Sequence, residues 1–216
     1  MGRAIVSLVA IAAVFTLFSG HVCAQELTAG VKGGLNIAYL RGDDVDDEAI
    51  DSRMGLAVGG FVIYSVNEMF AVQPEVLVYT QKGAKVEKSE GAGSIKSTII
   101  LDYVEIPILA RVIIPVEGNV KPSLLLGPAL GIQLRAKNKW EYKLAEGSDS
   151  GEDDLEDIRS TDFGFVFGGG VALDIGASAL TLDARYTLGL TIIDATEHED
   201  DIKNGVISLM VGYSFK

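Results

Sequence analysis

The chain has 216 residues, 48% hydrophobic and 22% charged, with 25 glycines, 5 prolines, one cysteine and a formal net charge of -12. This is the composition of one ordinary folded domain, neither disordered nor collagen-like. With 18 Lys and Arg against 30 Asp and Glu, nothing is available to neutralise a phosphate backbone, which excludes nucleic acid as a partner.

The N-terminus reads as a secretory signal. Arg3 is followed by an uncharged apolar run from Ala4 to Phe18 and then by the small-residue site Val22-Cys23-Ala24, the pattern cut by a signal peptidase. Cleavage before Gln25 removes residues 1–24 and leaves a domain over 25–216. The only cysteine leaves with the signal, so disulfides, thiolate chemistry and cysteine metal sites are excluded from the mature chain. Beyond residue 24 the longest stretch free of Asp, Glu, Lys and Arg runs from Met54 to Asn67, 14 residues. A membrane helix needs roughly 18 or more. A chain of this kind crosses a membrane only as strands.

In chain order, eight segments rich in Val, Ile, Leu, Tyr and Phe are predicted as strands. They are Leu27 to Leu40, Met54 to Ser65, Met69 to Val86, Thr98 to Ile113, Val120 to Lys137, Thr161 to Ile175, Ala179 to Ile193 and Gly205 to Phe215. Long polar connections (41–53, 87–97, 138–160, 194–204) alternate with short ones (66–68, 114–119, 176–178), as in outer-membrane barrels. The fifth, sixth and seventh segments alternate cleanly. In the seventh, Leu180, Leu182, Ala184, Tyr186, Leu188 and Leu190 oppose Thr181, Asp183, Arg185, Thr187, Gly189 and Thr191. An eight-stranded barrel has an interior just wide enough for its own side chains, and six or seven large apolar residues per strand would overfill it. The apolar face is therefore expected in lipid and the Gly, Ser, Thr and charged face in the lumen. The predicted fold is all-β, an eight-stranded antiparallel up-and-down transmembrane β-barrel.

Several pieces carry a resemblance: GVKGGLN at 30–36, QPEVLVYTQKG at 73–83, YVEIPILAR at 103–111, DFGFVFGGG at 162–170, DARYTLG at 183–189 and VGYSF at 211–215. In order and spacing they resemble the PorT-type outer-membrane β-barrel family across the whole mature chain. The resemblance implies an eight-stranded barrel in the outer membrane of a Gram-negative cell. The founding member's link to protein secretion is not carried across. Barrel-assembly signals usually end on an aromatic, and here Lys216 follows Phe215.

By strand parity Lys32, Glu75, Glu105, Arg111, Arg135, Asp183 and Arg185 face the lumen, with Asn36, Gln73, Gln81 and Gln133. Buried charges persist only when paired and hydrogen-bonded, so Arg111 is expected to pair with Glu75 or Glu105. The set reads as a packed polar plug in preference to a charge-lined channel. No catalytic residue, cofactor or metal site is expected. The mature chain has a single His, His198, in an acidic run with no nucleophile placed beside it, and the Gly168-Gly169-Gly170 run lacks the lysine of a phosphate loop. The connections 41–53, 138–160 and 194–204 hold 19 of the 30 acidic residues. They read as a solvated fringe, with weak divalent-cation binding through the run Asp43, Asp44, Asp46, Asp47 and Glu48, shared with Asp153, Asp154 or Asp200, as the functional alternative. The expected protein is a monomeric, non-enzymatic outer-membrane barrel with a structural or surface-interaction role, in contact with membrane lipid and lipopolysaccharide. The alternative is a small channel or a secretion-associated barrel.

Overall fold

Strict alternation of bulky and small or polar side chains suits an extended backbone with two unlike faces, and the chain folds accordingly. The computed structural model describes residues 27–42, 50–90, 93–144, 147–155, 158–192 and 202–215. The signal segment with Cys23, the acidic residues 43–49, His198, Asp200 and Lys216 lie outside these described residues. Among the described residues are nine strands: β1 (Leu27–Arg41), β2 (Ile50–Ser65), β3 (Phe70–Glu90), β4 (Gly93–Ile113), β5 (Val120–Leu144), β6 (Gly147–Asp154), β7 (Thr161–Ile175), β8 (Ser178–Gly189) and β9 (Lys203–Phe215).

Every pairing is antiparallel. The order β4-β3-β2-β1-β9-β8-β7-β5 is closed by a further pairing of β4 with β5, which makes a ring of eight strands. The ninth strand, β6, pairs with β5 and lies outside the ring. Short turns join β2 to β3, β4 to β5 and β7 to β8 at one end. In the first, the Asn67 side chain accepts the backbone N–H groups of Met69 and Phe70 at 2.9 and 2.8 Å.

Burial is inverted relative to a water-soluble protein. Leu124 is 54% exposed and Phe167 48%, whereas Lys32 is 3% and Glu75 1% exposed. Charged groups almost never sit inside while large apolar ones face water. The outer face is thus a lipid face, and the short turns mark the periplasmic end. Along β8 the alternation holds from Ala179 to Leu182, with Ala179 and Thr181 buried and Leu180 and Leu182 exposed.

Two of the connections expected as long loops are strand. β3 and β4 continue to Glu90 and from Gly93, and β5 runs to Leu144 before β6 returns alongside it. These extensions reach beyond the apolar belt into water, where both faces are polar and hydrophobic alternation gives no sign of a strand. Cross-strand contacts hold them instead: Lys139 Nζ lies 3.2 Å from Glu152 Oε2, and Trp140 Nε1 donates to Asp153 at 2.8 Å.

Candidate functional site in the barrel lumen

The lumen is filled by side chains from all around the ring. Among the described residues ten charged side chains are buried: Lys32, Arg53, Lys82, Arg111 and Arg185 against Glu75, Asp102, Glu105, Asp162 and Asp183. Five cations meet five carboxylates, so the buried charges among the described residues balance.

One layer is centred on Glu75 of β3. Lys32 Nζ of β1 lies 2.8 Å from its Oε1 and 3.0 Å from Asp183 Oδ2. Arg185 of β8 grips Glu75 bidentately, Nη1 to Oε2 at 2.8 Å and Nη2 to Oε1 at 2.9 Å, and also donates to Asp183 at 2.9 Å. Bidentate guanidinium–carboxylate pairs are among the strongest hydrogen bonds available to side chains. Gln73 Nε2 donates to Glu75 Oε1 at 2.6 Å, and its own Oε1 accepts from Arg111 Nη1 at 2.8 Å. Arg111 therefore reaches Glu75 through Gln73 and does not take the direct pairing with Glu75 or Glu105 that was expected. The register sets this geometry, with Ala71 opposite Arg111 and Gln73 one inward position further along β3.

A second layer is centred on Lys82 of β3. Its Nζ lies 3.3 Å from Glu105 Oε2 of β4, 3.0 Å from Asp162 Oδ2 of β7 and 4.9 Å from the Tyr103 ring centroid. Asn204 Nδ2 of β9 donates to the same Asp162 oxygen at 2.8 Å. Beyond it an apolar cap of Leu40, Ala84, Leu101 and Tyr103, with Ala136, Ile158 and Ile202 packed on it, fills the mouth opposite the short turns. The void touching both Glu105 and Arg185 measures about 10 Å³, room for a single water.

Of the seven charged residues assigned to the lumen by parity, the structure buries Lys32, Glu75, Glu105, Arg111, Asp183 and Arg185. Arg135 is elsewhere. Its side chain is 45% exposed and lies 3.1 Å from Glu152 Oε1 on β6. The cause is a β-bulge: Asp102 pairs with Arg135 but Tyr103 pairs with Gln133, so Leu134 is an extra residue and the faces of β5 exchange. Ala136, one position on, packs inside. A similar bulge in β3, between Leu77 and Thr80, turns Thr80, Lys82 and Ala84 inward. Gln81 instead donates to Tyr79 Oη at 2.8 Å and accepts from the Leu56 N–H. The central role of Lys82 was therefore invisible to an unbroken period of two. Asp162 was legible as the polar start of an alternating strand, and Asn204 stood one residue outside the predicted one.

Outside the lumen, Glu152 accepts from Lys137 and Lys139 and lies close to Arg135. These hydrogen bonds, that of Lys137 foremost, hold its carboxyl at about 2 against an ordinary 4.5. Its contribution to docking β6, complete above 4.5, therefore falls progressively on acidification below 4.5 and is gone once the pH is below about 2. A carbon-detected NMR titration of this carboxyl is expected to give a midpoint near 2, and Lys137→Gln with Lys139→Gln to return it toward 4.5. Asp153 is engaged by Trp140 and Asp154 lies 3.6 Å from Lys137. Among the described residues no three His, Cys, Asp or Glu side chains converge in a metal-holding group.

No curated protein sequence matches the chain. Solved structures of similar fold include Ail of Yersinia pestis, 16% identical, covering 88% of this chain and 99% of that one with a TM-score of 0.39. Neisserial surface protein A is 16% identical and covers 90% and 99% with a TM-score of 0.46. OprG of Pseudomonas aeruginosa is 13% identical and covers 91% and 97% with a TM-score of 0.44. Residues 23–195 match the outer membrane protein beta-barrel domain, about four-fifths of the chain. With a closed ring of eight antiparallel strands, a lipid-facing apolar exterior and this match over most of its length, the chain belongs to the outer membrane protein β-barrel domain family and is an integral protein of the outer membrane.

Proposed function

We propose that the barrel is a closed, non-conducting and non-enzymatic surface protein whose lumen is a structural plug and whose working part is the set of strands that rise above the membrane. The observation that carries this reading is the charge balance and close filling of the interior. Ten buried charges balance, the central carboxylates are bound on several sides, and the void between the two charged layers holds one water at most. Reconstitution of the purified protein in planar bilayers is expected to give no discrete conductance. Steps of reproducible size would overturn the plug and favour the small-channel reading.

A closed ring needs no second copy, which supports a monomer in detergent. The motifs shared with PorT-type barrels support that finer placement within the family, without a secretion role. Removal of residues 1–24 on export also belongs to this proposal. The intact mass of the protein extracted from outer membranes is expected to correspond to a chain starting at Gln25, and a mass retaining the leader would refute cleavage.

A further inference from the structure

We infer that the void between the two charged layers is a built site for one water molecule, which joins the layers into a single hydrogen-bonded network. This rests on the reading of the lumen as a closed plug.

The bulge in β3 creates the site. By turning Thr80 inward between Glu75 and Lys82, it places a hydroxyl on the wall of the void, in a side chain only 2% exposed. The Thr80 Oγ1 has no hydrogen-bond partner among the described residues. Arg185 lines the same void from β8 and is 5% exposed. Its two terminal nitrogens are engaged by Glu75 and Asp183, whereas its Nε has no partner among the described residues. Glu105 lines the void from the second layer, with its Oε2 3.3 Å from Lys82 Nζ. Asn36 and Ser208, hydrogen-bonded to each other at 2.8 Å, complete the polar part of the wall. A buried donor left unpaired is costly, and protein interiors meet such a demand with ordered water where there is room for it.

The chemistry of the wall selects water. The Arg185 Nε–H needs an acceptor, which a metal cation is not. Glu105 repels an anion. The buried cations and carboxylates already balance five against five, so an ion of either sign would leave an uncompensated charge in the interior. Water is neutral, accepts from a guanidinium, donates to a carboxylate and does either with a hydroxyl, and a volume of about 10 Å³ admits one molecule of it. Arg185 belongs to the Glu75 layer and Glu105 to the Lys82 layer, so the water carries hydrogen bonding from one to the other.

Thr80→Val keeps the volume and removes the hydroxyl, and the sign of its effect decides. With water bound, the variant strips a partner from it, and the folded-to-unfolded ratio in urea should fall about tenfold. With the void dry, the variant removes an unsatisfied polar group, and stability should stay level or rise. A second measurement needs no variant. In NMR spectra of the full chain folded in detergent micelles, water–methyl cross-peaks of opposite sign in the laboratory and rotating frames mark a held water. We expect them at Val206 and Met210, which line the void, and not at Leu109 and Leu125, which are buried in the lumen away from its wall. An absence of cross-peaks at Val206 and Met210, or a Thr80→Val protein at least as stable as its parent, would overturn the site and leave the plug standing. Cross-peaks at all four residues, with conductance steps from the same preparation, would overturn the closed lumen and the single-water site together.

Discussion

Replacing Glu75 with glutamine is expected to destabilise the barrel by on the order of 3–5 kcal/mol, the usual cost of leaving a buried charge without its partner. The side chain is 1% exposed and receives Lys32, Arg185 and Gln73 at once. The amide keeps the shape and removes the charge, so Lys32 and Arg185 are left with only Asp183 between them. Urea unfolding in lipid vesicles, followed by loss of heat-modifiable migration, measures the effect. A change below about 1 kcal/mol would mean that the layer is not held by charge pairing. Adding Lys32→Met should recover much of the loss, since Arg185 and Asp183 then remain as a matched pair. Lys32 Nζ lies 4.6 Å from the Phe61 ring centroid, where a thioether makes a favourable aromatic contact.

The second large effect is expected at Gly83. Its φ is +117°, and a Cβ there would lie 2.1 Å from the carbonyl oxygen of Ile99 on β4. Left-handed strain costs about 1–3 kcal/mol, and the contact with backbone forces β3 away from β4 between Lys82 and Ala84, both buried. Gly83→Ala is expected to cost at least about 3 kcal/mol or to prevent assembly outright. Gly118 provides the control, because its φ is +105° and a Cβ there would meet nothing within 4 Å. Gly118→Ala should therefore show only the strain, about 1–2 kcal/mol. Equal losses at the two positions would refute the role of the close approach to Ile99.

Legibility from sequence followed the membrane. Where strands cross lipid, as in β7 and β8, one face must be apolar and the alternation is plain in the residues themselves. The eight crossings and their antiparallel ring follow from that alone. Above the lipid the constraint lapses, so the polar stretches that form the ends of β3 and β4 and the β5–β6 hairpin looked like loops. Within the lumen, β1 and β8 run without a register break and Lys32, Asp183 and Arg185 keep the parity of their strands. The breaks at Leu134 and between Leu77 and Thr80 exchange the faces beyond them, which moves Arg135 out and Lys82 in. A bulge leaves no mark in hydrophobic period, since it is fixed by how two strands meet.

The Glu75 layer also bears on how the barrel assembles. Its ion-paired residues come from β1, β3 and β8, strands brought around one lumen only when β1 meets β9. An open, half-inserted sheet would hold Lys32 without Asp183 and Glu75 without Arg185, with the edges of β1 and β9 still unpaired. Such a sheet gains little from each added strand, and the reward arrives at seam closure. Insertion is therefore strongly cooperative: time-resolved folding into vesicles should show the native heat-modifiable form rising in one phase, with no long-lived partly closed species between the unfolded chain and the sealed ring.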